Sequence, residues 1–288
     1  MSDGTLAPPA VPYAFPTSRG ARIAFALLAV YVVYALTQLD VSLDRVQQGL
    51  EHSGRFLGKM FPPNFARAEL LWKGLAESLQ IAVLASALGI VLALPFGLLG
   101  ARNLMPAWVS WPARLCVVLA RSFHPVVVAI LFVKAVGFGA LAGILALTVA
   151  SIGFIGKLFT EAIEEVSIRE VEAIRATGAP FTSVLAFGVL PQVFSRFIGF
   201  ATYQLDSNLR NSTMVGIVGA GGIGGTLFAA FQRFDYDFVS AILISIIALI
   251  MAGELLATAV RRIFIDNATL AELFRRGAAS HEHPLDDD

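Results

Sequence analysis

Long apolar runs separated by short polar stretches dominate the chain. Ala21 to Leu39 carries nothing charged after Arg22, and further runs lie at about 75–99, 115–136, 139–159, 184–209 and 237–260, the last closed by Arg261-Arg262. A run of about twenty residues rises roughly 30 Å as a helix, enough to cross the hydrocarbon of a bilayer. Every backbone N–H and C=O needs an internal partner in lipid, so helices are the expected solution, and the ten-residue alternation of a membrane barrel is absent. The pattern predicts an all-α integral membrane protein of about six transmembrane helices.

The intervening stretches divide the chain further. Pro8, Pro9, Pro12 and Pro16 mark residues 1–20 as a flexible tail. The run at 21–39 is read as a retained helix, because Thr37-Gln38-Leu39-Asp40 does not resemble a signal-peptide cleavage site. In the polar segment 40–73, Val46, Leu50, Leu57 and Met60 fall near one helical face, which predicts an amphipathic segment at the external membrane surface. A membrane core then occupies 74–263. The tail 264–288 contains a short amphipathic helix near 268–276 and ends in three aspartates. An even number of spans puts both termini on one side. Arg19, Arg22, Arg261, Arg262, Arg275 and Arg276 favour the cytoplasm for them, against five cations offset by acids in 40–73.

Composition agrees with lipid as the main solvent: 57% of residues are hydrophobic and 15% charged, where a soluble domain carries about a quarter charged, and the mean hydropathy is +0.74. Zero net charge gives no reason to expect nucleic acid as a partner. The single cysteine, Cys116, sits in an apolar run, and His52, His124, His281 and His283 are scattered, so no metal site is expected. Gly219-x-Gly221-x-x-Gly224 spells a dinucleotide fingerprint, but it follows a membrane helix rather than a strand. No GxxxxGK[ST] loop exists, so any ATP would be handled by another chain.

Between the fourth and fifth runs lies Glu161 to Thr182, helix-forming but too polar to span, with Gly178 as a stop and Pro180 after it. Such a segment is either a solvated loop or a knob for a soluble partner. Within it Glu172-Ala173-Ile174, then Gly178, then Leu190-Pro191 resemble the EAA signature of ABC importer permeases. Ile174 replaces the second alanine, and Gly188 stands where the signature has isoleucine. The wider context, Leu94-Pro95-Phe96-Gly97, Val136-Gly137-Phe138-Gly139, Gly156-Lys157-Leu158-Phe159 and Gly216 to Gly224, is similar to phosphonate-type importer permeases, relatives of methionine-type ones, over roughly two-thirds of the chain. The resemblance implies a type I ABC importer (MetI-like) permease fold in a bacterial inner membrane, with a cytoplasmic coupling helix at about 165–179. It also implies a homodimer, two cytoplasmic ATPase subunits that hold ATP and Mg, an external solute-binding protein, and no cofactor or catalysis on this chain. Cargo would be phosphonate, phosphate or phosphite. Ile168, Arg169, Glu170, Glu172, Ala173, Arg175, Ala176, Thr177 and Gly178 would couple to the ATPase, with Ile168, Ala173 and Ala176 filling its cleft and Glu172 and Arg175 capping or pairing locally.

Charges inside spans need a reason, since Arg or Asp at a helix centre costs about 2.5–3.5 kcal/mol. Arg121, Lys134, Arg196, Asp206 and Arg210 are the candidates. Lys134 and Arg196 can snorkel or pair. Asp206 and Arg210 have i,i+4 spacing and can pair with each other. Alternatively Asn208, Arg210, Asn211, Ser212 and Thr213 line a pathway where an anion meets donors, doubled about a twofold axis. Gly216, Gly219, Gly221, Gly222 and Gly224 are read as an outer gate, with tight packing as the alternative. Two other functions stay open: a secondary transporter, needing a membrane carboxylate such as Asp206 or Glu254, and an intramembrane enzyme, for which no catalytic pair is found.

Overall fold

The structure, a computed structural model, describes residues 19–38 and 42–281, with side chains described except at positions 43, 261 and 263–281. Of the predicted tail at 1–20, residues 1–18 lie outside the described residues, as do the final aspartates and His283, while Arg19 and Gly20 begin a helix instead. Among the described residues every regular element is helical. The chain divides into two units at Lys59. The first contains α1 (Arg19–Gln38), an apolar helix of 20 residues, and α2 (Leu43–Lys59), which places the predicted amphipathic segment on a helix.

The second unit is built on α3 (Ala68–Gly100) and α6 (Ala140–Glu164). They run parallel: Gly89 faces Ser151, and eight residues on in each helix Gly97 faces Phe159. Small residues of α3 are buried in this unit, among them Ser78, Ala82, Ala85, Ser86, Gly89 and Ala93. Lipid tails are as apolar as leucine, so helices in membranes associate where small side chains let backbones approach. A Cβ at Gly89 would lie 2.2 Å from that of Ser151, so only glycine permits this crossing. One apolar core, with Ile81, Ala85, Val133, Ala142, Ala146, Leu147 and Val215, fills one half of the bundle. Another, with Phe159, Ile163, Val171, Val184, Val189 and Val193, fills the other.

The predicted span at 115–136 is two helices, α4 (Ala107–Ser122) and α5 (Pro125–Val136), bent by 90°. Pro125 is the cause. The residue before proline is held extended, as His124 is (φ −66°, ψ 139°), and proline opens a new helix at its first position. The His124 ring caps the new helix, accepting the Val126 N–H at Nδ1.

After α7 (Ile168–Ala176) the chain enters a 37-residue helical run, Phe181–Ile217, composed of α8 (Phe181–Ser183), a π-helical turn at Val184–Val189 and α9 (Leu190–Ile217). It lies antiparallel to α3, with Val215 packed in the core of Ile81 and Ala85. The run extends eight residues beyond the expected end at 209, so the predicted pathway residues lie inside a helix. A turn at 218–222 leads into α10 (Ile223–Gln232) and then α11 (Tyr236–His281), whose backbone continues through the expected short helix near 268–276.

Candidate functional site

The segment Glu161 to Thr182 contains a fixed outward-facing helix. Only Val171 of α7 is buried, joined by half-buried Ile174, and both pack on the core of Val184, Val189 and Val193. At about 100° per residue, the face opposite Val171 and Ile174 carries Arg169 and Ala176, flanked by Glu172 and Ala173, with Ile168 further round. These five, with Glu170, Arg175, Thr177 and Gly178, are exposed, and Ile168 keeps 56% of its surface open. Glu172 and Arg175 have no ion-pair partner among the described residues, which corrects the expectation of local pairing; both are exposed.

The N-terminal end of α7 is fastened to α9. Gln192, on the first turn of α9, accepts the Ser167 N–H at Oε1 (2.9 Å) and donates from Nε2 to the Gly188 carbonyl (2.6 Å). One turn further along α9, Arg196 pairs with Glu165. Gly188 matters by its missing side chain, since a Cβ there would sit 3.2 Å from Ile174 Cδ1; the glycine that departs from the signature lets α7 seat closely. At the other end Gly178 has φ +78° and donates to the Arg175 carbonyl. Behind α7, Glu164 accepts from the Arg102 N–H and from Arg114, and Asn103 Nδ2 donates to the Ile163 carbonyl. A displacement of α7 therefore reaches α6, α9 and the α3–α4 connection together. A role for Gln192 was not legible without the fold.

The predicted pathway residues separate into two groups. Asn208 is fully buried and donates from Nδ2 to Ser86 Oγ (2.9 Å) and Ser151 Oγ (2.8 Å). Gln204 Nε2 donates to Asn208 Oδ1 and Ser151 Oγ. The two serine hydroxyls donate to the carbonyls of Ala82 and Leu147. Asn208 is thus the hub of a polar cluster joining α3, α6 and α9. Ser212 is also fully buried and donates to the Leu209 carbonyl. Neither is open to a passing solute within this chain, which corrects their assignment to the pathway lining: each spends its polar atoms inside the bundle. Arg210 is exposed and pairs with Asp206 at 3.1 Å, while Asn211 and Thr213 are half-buried. Lys134 and Glu254 are exposed on α5 and α11.

The glycine stretch is a tight turn. Gly219, Gly221 and Gly222 have φ of +91°, +83° and +80°, values that side chains rarely allow. Gly219 accepts the Gly139 N–H, and Ser78 Oγ accepts the Ile223 N–H, so the turn is bonded to the start of α6 and to α3. Gly216 and Gly224 touch each other across it. From there α10 runs back to the start of α3, where Arg67 pairs with Asp235 and lies over the Phe238 ring.

Two cavities flank α4. One of about 380 Å³ is lined by Arg114, Arg121, Lys157, Thr160 and Glu161. The other, about 200 Å³, lies beside the α4–α5 break and is lined by Arg121, Phe123, Phe154, Gln204, Ser207 and Asn211. Arg121 borders both. It was singled out in the sequence only as a charge in need of a reason.

Among known proteins, a family model described as binding-protein-dependent transport system inner membrane component matches residues 93–267. The phosphate-import permease protein PhnE of Mycolicibacterium smegmatis is 40% identical over 205 residues, 70% of this chain but only 38% of that protein's length. The phosphite transport system permease protein PtxC of Stutzerimonas stutzeri is 38% identical over 217 residues, covering 75% of this chain and 79% of that one. A solved structure of the MetNI methionine ABC transporter in inward-facing conformation aligns with a TM-score of 0.63 at 24% identity, over 70% of this chain and 99% of that one. At that identity the likeness speaks for the fold alone.

Proposed function

Because this chain belongs to the binding-protein-dependent transport system inner membrane component family, we propose that it is the membrane permease subunit of an ATP-driven importer for phosphonate or a related phosphorus oxyanion, phosphate or phosphite. The observation that carries the transport reading is α7: a short helix with an exposed face, bonded at its N-terminal end to α9 and seated through Val171 and Ile174 on the core of the helices it would move. The cargo reading rests on relatives named for phosphate and phosphite transport.

In this reading α7 is the coupling helix on the cytoplasmic face, and both termini lie on that side. Two copies of the chain pair about a twofold axis, two ATPase subunits with ATP and Mg receive the two coupling helices, and a solute-binding protein delivers cargo at the opposite end. Arg169 and Ala176 make the central contact with the ATPase, with Glu172 and Ala173 at its sides and Ile168 further round. Arg210, Asn211 and Thr213 belong to the pathway, backed by the rigid cluster around Asn208. The glycine turn at 218–222 closes the outer end and moves with α3 and α6, to which it is bonded. No catalysis is assigned to this chain.

The test is uptake of radiolabelled phosphate and phosphite by vesicles containing this chain, with and without an ATPase subunit and a solute-binding protein of the same transport system. Uptake is expected only with all three and ATP. Uptake by this chain alone would establish an independent transporter and refute the proposal.

A further inference from the structure

We propose that Arg121, with Ser207 and Asn211, forms an oxyanion site at the middle of the bundle, where a fixed positive charge meets cargo inside the membrane. The inference rests on the cargo reading above and adds a location and a residue to it.

Depth comes first. Gly153 is near the midpoint of α6 (Ala140–Glu164), and a Cβ there would lie 2.6 Å from Arg121 Cγ. The stem of Arg121 is therefore pressed against α6 halfway through the bundle, level with Ser151 and the Asn208 cluster. A guanidinium at that depth is expensive unless an anion or water receives it. The neighbouring cations have their own counter-charges: Arg114 pairs with Glu164, and Lys157 with Glu161 at 3.3 Å. Arg121 has no ion-pair partner among the described residues.

A cavity supplies the other half of the site. The 200 Å³ space beside the α4–α5 break is lined by Arg121 on one wall and by Gln204, Ser207 and Asn211 of α9 on another. A liquid water occupies about 30 Å³, so the space accommodates a small tetrahedral oxyanion with part of its hydration. The side chains are held in position. Gln204 is bonded into the Asn208 cluster, which fixes the rotation of α9. Ser207 and Asn211, one turn apart and bonded at 3.4 Å, then face the cavity together. A hydroxyl, an amide N–H and a guanidinium are donors, and all three suit a phosphorus oxyanion. Arg121 also borders the larger cavity, which is lined by Lys157 and Arg114.

Two substitutions separate charge from packing in the whole transporter, reconstituted with its ATPase and binding protein in phosphatidylcholine vesicles. Arg121→Lys keeps a cation; Arg121→Met keeps the stem against Gly153. Phosphate uptake by Arg121→Met is expected to fall at least about tenfold while Arg121→Lys stays within about threefold of wild type, with basal ATP hydrolysis unchanged in both. Equal losses in the two variants, or wild-type uptake in Arg121→Met, overturn the inference and leave the cargo reading intact. An effect of Arg121→Met that appears only when anionic lipid is added assigns the guanidinium to a lipid headgroup and also overturns it. Wild-type vesicles that hydrolyse ATP yet import no phosphorus oxyanion remove the cargo reading, and this inference with it. If Arg121→Met does not assemble, Asn211→Leu, which blocks the cavity from α9, takes its place: a tenfold loss supports the site and wild-type uptake overturns it.

Discussion

The attachment of α7 can be weakened without touching its outward face, and the consequence can be estimated. Gln192→Leu removes two hydrogen bonds, to the Ser167 N–H and the Gly188 carbonyl, each contributing about 0.5–1.5 kcal/mol, so about 2 kcal/mol in all. Adding Arg196→Ala removes the exposed pair with Glu165, which brings the total to about 3 kcal/mol, since such pairs contribute about 1 kcal/mol at most. Driving a two-state transporter from 1:99 to 99:1 takes about 5.5 kcal/mol of differential binding. If the loosened helix withholds its lost energy from that transfer, the single variant reaches the driven state in about four-fifths of molecules and the double variant in about two-fifths. The assay is transport per ATP hydrolysed in proteoliposomes, with hydrolysis measured separately and hydrogen exchange of residues 165–178 as the local readout. The expected result is a graded fall in the ratio, steeper in the double variant, with hydrolysis retained and faster exchange in α7. A double variant with a wild-type ratio and wild-type exchange would refute the claim that these contacts transmit force.

Three further outcomes are expected. Ala176→Arg puts a bulky cation at the centre of the exposed face of α7 and is expected to reduce ATPase association at least about tenfold, a loss of about 1.4 kcal/mol, with the chain still folded; pull-down at wild-type levels would rule out docking through this face. Asn208→Leu deletes three hydrogen bonds among α3, α6 and α9, each worth about 0.6 kcal/mol in membrane proteins, so thermal unfolding in detergent should show a loss of about 2 kcal/mol, and an unchanged midpoint would argue against the cluster as a structural hub. Gly89→Val forces atoms into the 2.2 Å gap against Ser151 and is expected to cost about 1–3 kcal/mol by overpacking, read as lower yield of folded protein; normal yield and stability would contradict the close crossing of α3 and α6.

Much of the architecture was legible from the apolar runs, because a helix in lipid needs about twenty apolar residues regardless of its neighbours. The helical class, the approximate span count and the short polar helix between the fourth and fifth runs all follow from that requirement and from Gly178. The break at Phe123-His124 could have been read from Pro125, had its effect on the preceding residue been weighed against the continuity of the apolar run. The faces of the helices were a different matter. In a soluble protein apolar periodicity separates core from solvent, but here the two alternatives are core and lipid, and both accept the same side chains. Sequence therefore placed Asn208 and Arg210 in one polar patch, although the fold buries the first among Ser86, Ser151 and Gln204 and leaves the second exposed beside Asp206. The same ambiguity hid Gln192 and Arg121, whose surroundings come from helices far away in the chain. Those relations depend on how closely helices pack and at what register, which small residues such as Gly89, Gly153 and Gly188 permit but do not spell out.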